Sequence, residues 1–160
     1  MKAPIHVRCA RSGELCEECK SKNPSELDIK LVSILSRIEE KEGIGEINFV
    51  GSIEGKETVF VLLKSDPSKL IGKQGRIIKH IKSEIGKRIR LINVSDEETI
   101  IRDLFYPIKP KYISKVFSPN GTYFKLVLPK GSIEKLRIPI DELELALRRL
   151  TKKEIVVKEE

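Results

Sequence analysis

The chain contains no tryptophan, one methionine (Met1), one glutamine (Gln74) and eight aromatic residues in 160, so its core must be aliphatic. Its longest apolar runs are of four or five residues (59–63), far below the roughly 18 that a membrane span requires. Lys2, Pro4, His6 and Arg8 stand where an export signal would need an apolar stretch. Cysteine is scarce as well: three residues, all within the first 19, cannot pair off into a disulfide framework. A cytoplasmic protein with no membrane association is expected. Scarce Gln, Met and Trp beside abundant Lys and Glu also fit a heat-adapted origin.

What is abundant is charge. Hydrophobic residues make up 39% and charged residues 34%, enough to bury a core beneath a heavily charged surface. Residues 64–90 hold nine basic side chains and two acidic ones, a net +7 that equals the excess of the whole chain. The remainder is neutral. Confining the excess to 27 consecutive residues is the footprint of a polyanion partner. A solvated lysine-rich face is the alternative.

Apolar periodicity divides the chain into three expected regions: 1–24, 25–95 and 96–160. The first lacks periodicity, holds every cysteine, and ends in Ser21-Lys22-Asn23-Pro24. In the second, Leu27, Leu31, Ile34, Leu35 and Ile38 predict a helix over 26–41, with Ser25 as N-cap and Gly43 as stop. Strands are expected at 47–53 and 58–64 as a hairpin, then a helical turn at 67–71. A helix marked by Ile77, Ile78, Ile81 and Ile85 and a strand at 88–94 complete the region. The third region repeats this order about 66 residues later: helix 97–105, strands 112–117 and 123–128, a helix from about Asp141 and a strand at 154–157. The expected class is α+β, with an internal duplication.

Between the two helical segments of the first repeat lies Ile71-Gly72-Lys73-Gln74-Gly75-Arg76-Ile77-Ile78, in the middle of the basic stretch. Glycines let a backbone approach a phosphate closely, and the amides and dipole of a following helix favour its charge. Lys73 and Arg76 add countercharge, and Lys79 and Lys82 continue a basic stripe along the helix. Ile71 and Ile78 would partly line an apolar groove. The simpler reading is a tight helix–helix turn with lysines for solubility. His80 is either a base-stacking residue or an exposed histidine without a role.

A different chemistry is written into His6-x2-Cys9-x6-Cys16-x2-Cys19. Each pair is separated by two residues, so each can place its ligands on adjacent corners of a tetrahedron, and Ser12-Gly13 can fold one pair onto the other. Three thiolates and one imidazole suit a closed, structural Zn(II) site. Two alternatives stand beside it: three thiols with an incidental His6, and a redox pair at Cys16-Glu17-Glu18-Cys19.

The 72–75 loop, set between helices after a hairpin and before a basic strand, resembles the KH family in its prokaryotic, type II arrangement. With the cysteine knuckles and the second repeat, nearly the whole chain resembles small archaeal KH proteins. These are similar to the RNA-binding core of the NusA transcription elongation factor. The resemblance implies a zinc knuckle followed by two tandem KH units, and a clamp on about four nucleotides of single-stranded RNA. The expected RNA-binding residues are Ile71, Gly72, Lys73, Gln74, Gly75, Arg76, Lys79 and Lys82. The second unit reads Arg137-Ile138-Pro139-Ile140-Asp141-Glu142 where the glycine loop should lie, so it is expected to be degenerate and unable to clamp phosphate.

No metalloprotease, Walker-type or nucleophile–base motif is present, so neither an enzyme nor a small-molecule substrate is expected. The implied role is a non-catalytic transcription or RNA-processing factor working with RNA polymerase. The alternative is a small-ribosomal-subunit protein with rRNA as its permanent ligand.

Overall fold

The computed structural model describes all residues 1–160, which divide into two compact units, Met1–Asn93 and Val94–Glu160. The class is α+β, and both units have the same build, compatible with tandem KH-like units. No helix is long and apolar enough to cross a membrane.

In the first unit two short helices, α1 (Val7–Ser12) and α2 (Glu17–Ser21), precede the long α3 (Glu26–Glu42). The Ser25 hydroxyl accepts the Asp28 N–H at 3.0 Å, and Gly43 ends α3 in the left-handed region. Both ends of α3 follow from local chemistry. Strands β1 (Phe49–Glu54) and β2 (Thr58–Leu63) form an antiparallel hairpin, closed by the Gly55 N–H donating to the Thr58 carbonyl at 2.8 Å. Strand β3 (Arg88–Asn93) then pairs parallel with β2 after a crossover through helix α4 (Arg76–Ile85). Buried at every position, β2 shows the unbroken apolar run of a central strand rather than alternation.

One irregularity redirects a side chain. Phe49 pairs with Leu63 but Gly51 pairs with Leu62, leaving Val50 as an extra, exposed residue in β1. The bulge shifts the phase of the strand. Phe49 therefore joins the main core of this unit while Ile53, though buried, lies outside it.

That core gathers Leu31, Leu35 and Ile38 of α3, Val59, Val61 and Leu63 of β2, and Ile77 and Ile81 of α4. Truncating a fully buried member such as Leu35 to Ala costs about 2–5 kcal/mol. Ile5, Cys9, Ala10 and Cys19 belong to the same core, so the cysteine-bearing segment packs into the first unit. Its start is tied down as well. The Met1 ammonium donates to Glu39 Oε1 at 3.0 Å, and Lys2 exchanges backbone hydrogen bonds with Ile47 and Phe49.

The second unit runs α5 (Glu97–Phe105), β4 (Tyr112–Ser118), β5 (Gly121–Leu128), α6 (Ile140–Thr151) and β6 (Glu154–Glu159). Again a hairpin pairs antiparallel and the last strand joins it in parallel, giving the order β4-β5-β6. Asp96 caps α5 by accepting the Thr99 N–H at 2.8 Å. That bond is the main reason its carboxyl is held below the usual range.

Candidate nucleic-acid interface and metal centre

The loop between the Pro67–Leu70 turn and α4 contains three positive-φ residues, Gly72, Gln74 and Gly75. Gly72 has φ 73° and ψ −178°, a conformation open essentially to glycine alone. A Cβ there would also lie 2.8 Å from Ile77 Cγ1. Gln74 (φ 56°, ψ 25°) and Gly75 (φ 72°, ψ 22°) are both left-handed, but a Cβ on Gly75 would meet nothing closer than 3.7 Å. The first glycine is thus required twice over, by dihedral and by space, and the second by dihedral alone.

This path sets which amides are free. The start of α4 carries no side-chain cap; instead the Ile71 carbonyl accepts the Ile77 and Ile78 N–H groups at 3.1 and 3.5 Å. The Arg76 N–H goes to the Lys73 carbonyl and that of Gly75 to Gly72. From the sequence alone, a phosphate is expected on the first amides of α4. Those amides are already engaged, because the loop folds the Ile71 carbonyl back over the helix end. The amides of Lys73 and Gln74, inside the loop, donate to no protein carbonyl.

Lys73, Gln74, Arg76 and Lys79 line one depression at this loop, and all four side chains are exposed. Lys82, also exposed, lies further along α4 and outside the depression. Ile71 is 42% exposed, unusual for an isoleucine beside a core, and Ile78 is partly buried. Arg76 is not free countercharge: its Nη2 donates to Glu42 Oε2 at 2.7 Å. Glu42 was not a sequence-level candidate, since 34 residues separate the pair and only the packing of α3 beside α4 joins them. His80 faces Glu84 one turn on, at 3.9 Å, and lines a cleft with Arg37, Lys41 and Arg76.

In the second unit no residue between 132 and 151 takes a positive φ. Ile138, 1% exposed, occupies the segment where the first unit has its glycine loop, and Asp141 and Glu142 stand in the first turn of α6. At this segment the backbone offers no left-handed loop and the helix start is acidic, so the features that surround an anion position at 72–75 are missing here.

At the other end of the first unit, His6, Cys9, Cys16 and Cys19 bring their ligand atoms within 4.8 Å of one another. His6 and Cys16 are the N-caps of α1 and α2, so each pair straddles the start of a helical turn. Gly13, left-handed, ends α1 with its N–H on the Cys9 carbonyl at 3.0 Å and folds one pair back on the other. His6 Nδ1 lies 3.4 Å from Cys16 Sγ, 3.4 Å from Cys19 Sγ and 4.0 Å from Cys9 Sγ. A tetrahedron with Zn–S of about 2.3 Å and Zn–N of about 2.0 Å has N···S edges of about 3.5 Å. The donor set fits, and these four residues can hold a metal ion such as zinc.

The surroundings favour thiolate at Cys16 but not at Cys19. The Cys19 backbone N–H and then His6 draw the Cys16 thiol down from 9.0 to about 6. At Cys19 the His6 N–H donates to the sulfur at 3.3 Å and lowers the pKa, but burial and the neighbouring thiols outweigh it and the net shift is upward. Glu18 Oε2 faces His6 Nε2 at 3.7 Å, the side of the ring away from the sulfurs, where a carboxylate orients a ligating imidazole. With Cys9 and Cys19 buried, a metal here would be enclosed by protein ligands rather than open to substrate.

No family model and no curated protein matches this sequence. Among solved structures, the crystal structure of the archaeal protein APE1850 is similar, with a TM-score of 0.58 and 22% sequence identity. The match covers 79% of this chain and 96% of that one. At such identity the likeness is one of fold. This chain, an α+β protein with an N-terminal His/Cys cluster and two units compatible with tandem KH-like domains, therefore shares its fold with a solved protein.

Proposed function

We propose that this protein is a non-catalytic, single-stranded-RNA-binding KH protein that clamps the RNA backbone at the 72–75 loop. Its role would be that of a NusA-like transcription or RNA-processing factor. One observation carries the reading: two unengaged amides, of Lys73 and Gln74, sit in a left-handed loop ringed by Lys73, Arg76 and Lys79. Backbone donors within a basic depression recognise phosphate without regard to base, while the half-exposed Ile71 beside them offers an apolar surface to an unstacked base. Zinc is the ion we assign to the His6, Cys9, Cys16 and Cys19 cluster, where it would fix the N-terminal segment rather than take part in chemistry.

The test is a pair of substitutions, Lys73→Asp with Gln74→Asp, measured by fluorescence anisotropy with a labelled single-stranded RNA. Affinity is expected to fall at least about tenfold at moderate salt, with the circular dichroism spectrum unchanged. Wild-type affinity should also fall steeply with salt, because each lysine or arginine contact releases counterions. Unchanged affinity in the double variant would place the RNA elsewhere.

A further inference from the structure

The second unit lacks the glycine loop but carries a sheet face that is open at Tyr112, Val156 and Lys158. Strand register places Tyr112 and Val116 of β4, Tyr123 and Lys125 of β5, and Val156 and Lys158 of β6 on one side of the sheet. The opposite side holds the buried Phe124, Leu126 and Leu128. On the first side Tyr112 is 63% and Val156 41% exposed, Tyr123 and Lys125 are half-buried, and Val127 beside Tyr112 is buried, in a chain with only eight aromatic residues to place. Tyr112 pairs with Val127 and Tyr123 with Val116, so the two rings stand four residues apart along adjacent strands, about 13 Å. Lys125, paired with Ser114 and Val156, lies between them.

The unpaired charge on this face is positive. Neither Lys125 nor Lys158 has an acidic partner, while the acid there, Glu154, is approached by Arg148 at 3.6 Å. Aromatic rings interleaved with unpaired lysines on an open sheet are the elements of a base-stacking platform. The rings take π-faces of any sequence and the ammonium groups take phosphates.

We propose that the open face of the β4-β5-β6 sheet is a second single-stranded-RNA surface, where bases stack on Tyr112 and Tyr123 and Lys125 and Lys158 hold the backbone. This rests on the reading that RNA is the ligand, but it is independent of the 72–75 loop. The unit without the glycine loop would then bind by stacking, a chemistry different from the backbone clamp of the first unit.

The composition supplies the probe. All three tyrosines, Tyr106, Tyr112 and Tyr123, lie in the second unit and tryptophan is absent, so intrinsic emission reports this unit alone. A 12-nucleotide single-stranded RNA of mixed sequence is titrated into the full chain, with tyrosine emission followed beside anisotropy. Quenching at saturating RNA is expected in the wild type and in the Lys73→Asp/Gln74→Asp variant. Ultraviolet crosslinks should map to Tyr112 and Tyr123. Lys125→Glu with Lys158→Glu, which keeps every tyrosine and exchanges only surface charges, should abolish the quenching and reduce the salt slope of binding by about two.

Binding by anisotropy with constant tyrosine emission would overturn the second surface and leave the loop reading intact. Absence of binding in the wild type by either readout would overturn both. Protection of this face from surface labelling in a lysate treated with ribonuclease would assign it to a protein partner, and would also overturn the proposal.

Discussion

Arg76 at the start of α4 and Glu42 at the end of α3 are joined by a 2.7 Å charge-assisted hydrogen bond, with Glu42 only 19% exposed. The carboxylate holds the guanidinium beside the loop and cancels part of the countercharge that a phosphate would meet. Glu42→Gln is expected to raise RNA affinity about two- to fivefold. Stability should change by no more than about 1 kcal/mol, as for other pairs with an exposed partner. Parallel binding and urea-denaturation curves check both.

The two glycines of the loop are not equivalent. Gly72→Ala forces a residue into a region closed to Cβ and against Ile77, for which a loss of about 3 kcal/mol is expected. Gly75→Ala adopts only a left-handed turn, at about 1–2 kcal/mol. Gln74→Gly should do the reverse and stabilise by up to about 1 kcal/mol, since the present side chain already sits at positive φ. Chemical denaturation of the three variants ranks them.

Metal removal should reach beyond the ligands. One zinc per chain is expected by elemental analysis, and a chelator should release it. Because Cys9 and Cys19 are packed in one core with Leu31 and Leu35, amide exchange should rise in 1–24 and also along the buried face of α3. Exchange in 94–160 should stay constant. Protection of 1–24 that survives chelation would contradict a metal-dependent knuckle.

In the second unit Lys153 Nζ donates to Glu97 Oε2 at 2.8 Å while lying 5.5 Å from the Phe124 ring centroid. That hydrogen bond chiefly depresses the Glu97 carboxyl and raises the Lys153 ammonium. A depressed carboxylate contributes stability above its unfolded pKa, and loses it as pH falls through the lower folded value. The raised lysine contributes below its unfolded pKa and loses it as pH rises through the folded one. The pair is therefore at full strength across the neutral range. Glu97→Gln should remove part of the acid-side loss below about pH 4.5, with at most about 1 kcal/mol at stake because Glu97 is 39% exposed. Denaturation midpoints against pH would show a flattened acid limb.

Much of the architecture was legible because its causes are local. Ser25, Asp28 and Gly43 bound α3 within a residue of expectation, and Ser118-Pro119-Asn120-Gly121 marks the turn of the second hairpin. The two-residue spacing of His6, Cys9, Cys16 and Cys19 was sufficient to nominate the metal ligands. The bulge at Val50 was not legible, since it exists only relative to β2. Nor was Glu18, whose place opposite His6 depends on how α1 and α2 fold together.

By itself the sequence determined the order of elements, the duplication, the position of the glycine loop and the concentration of charge around it. Each follows from spacing, capping or composition over a few neighbouring residues. Tertiary structure alone decided which amides of that loop remain free, which acid neutralises Arg76, and which tyrosines stand on an open face. Those outcomes depend on atoms brought together from distant parts of the chain, where burial and close packing, rather than local preference, choose the partner.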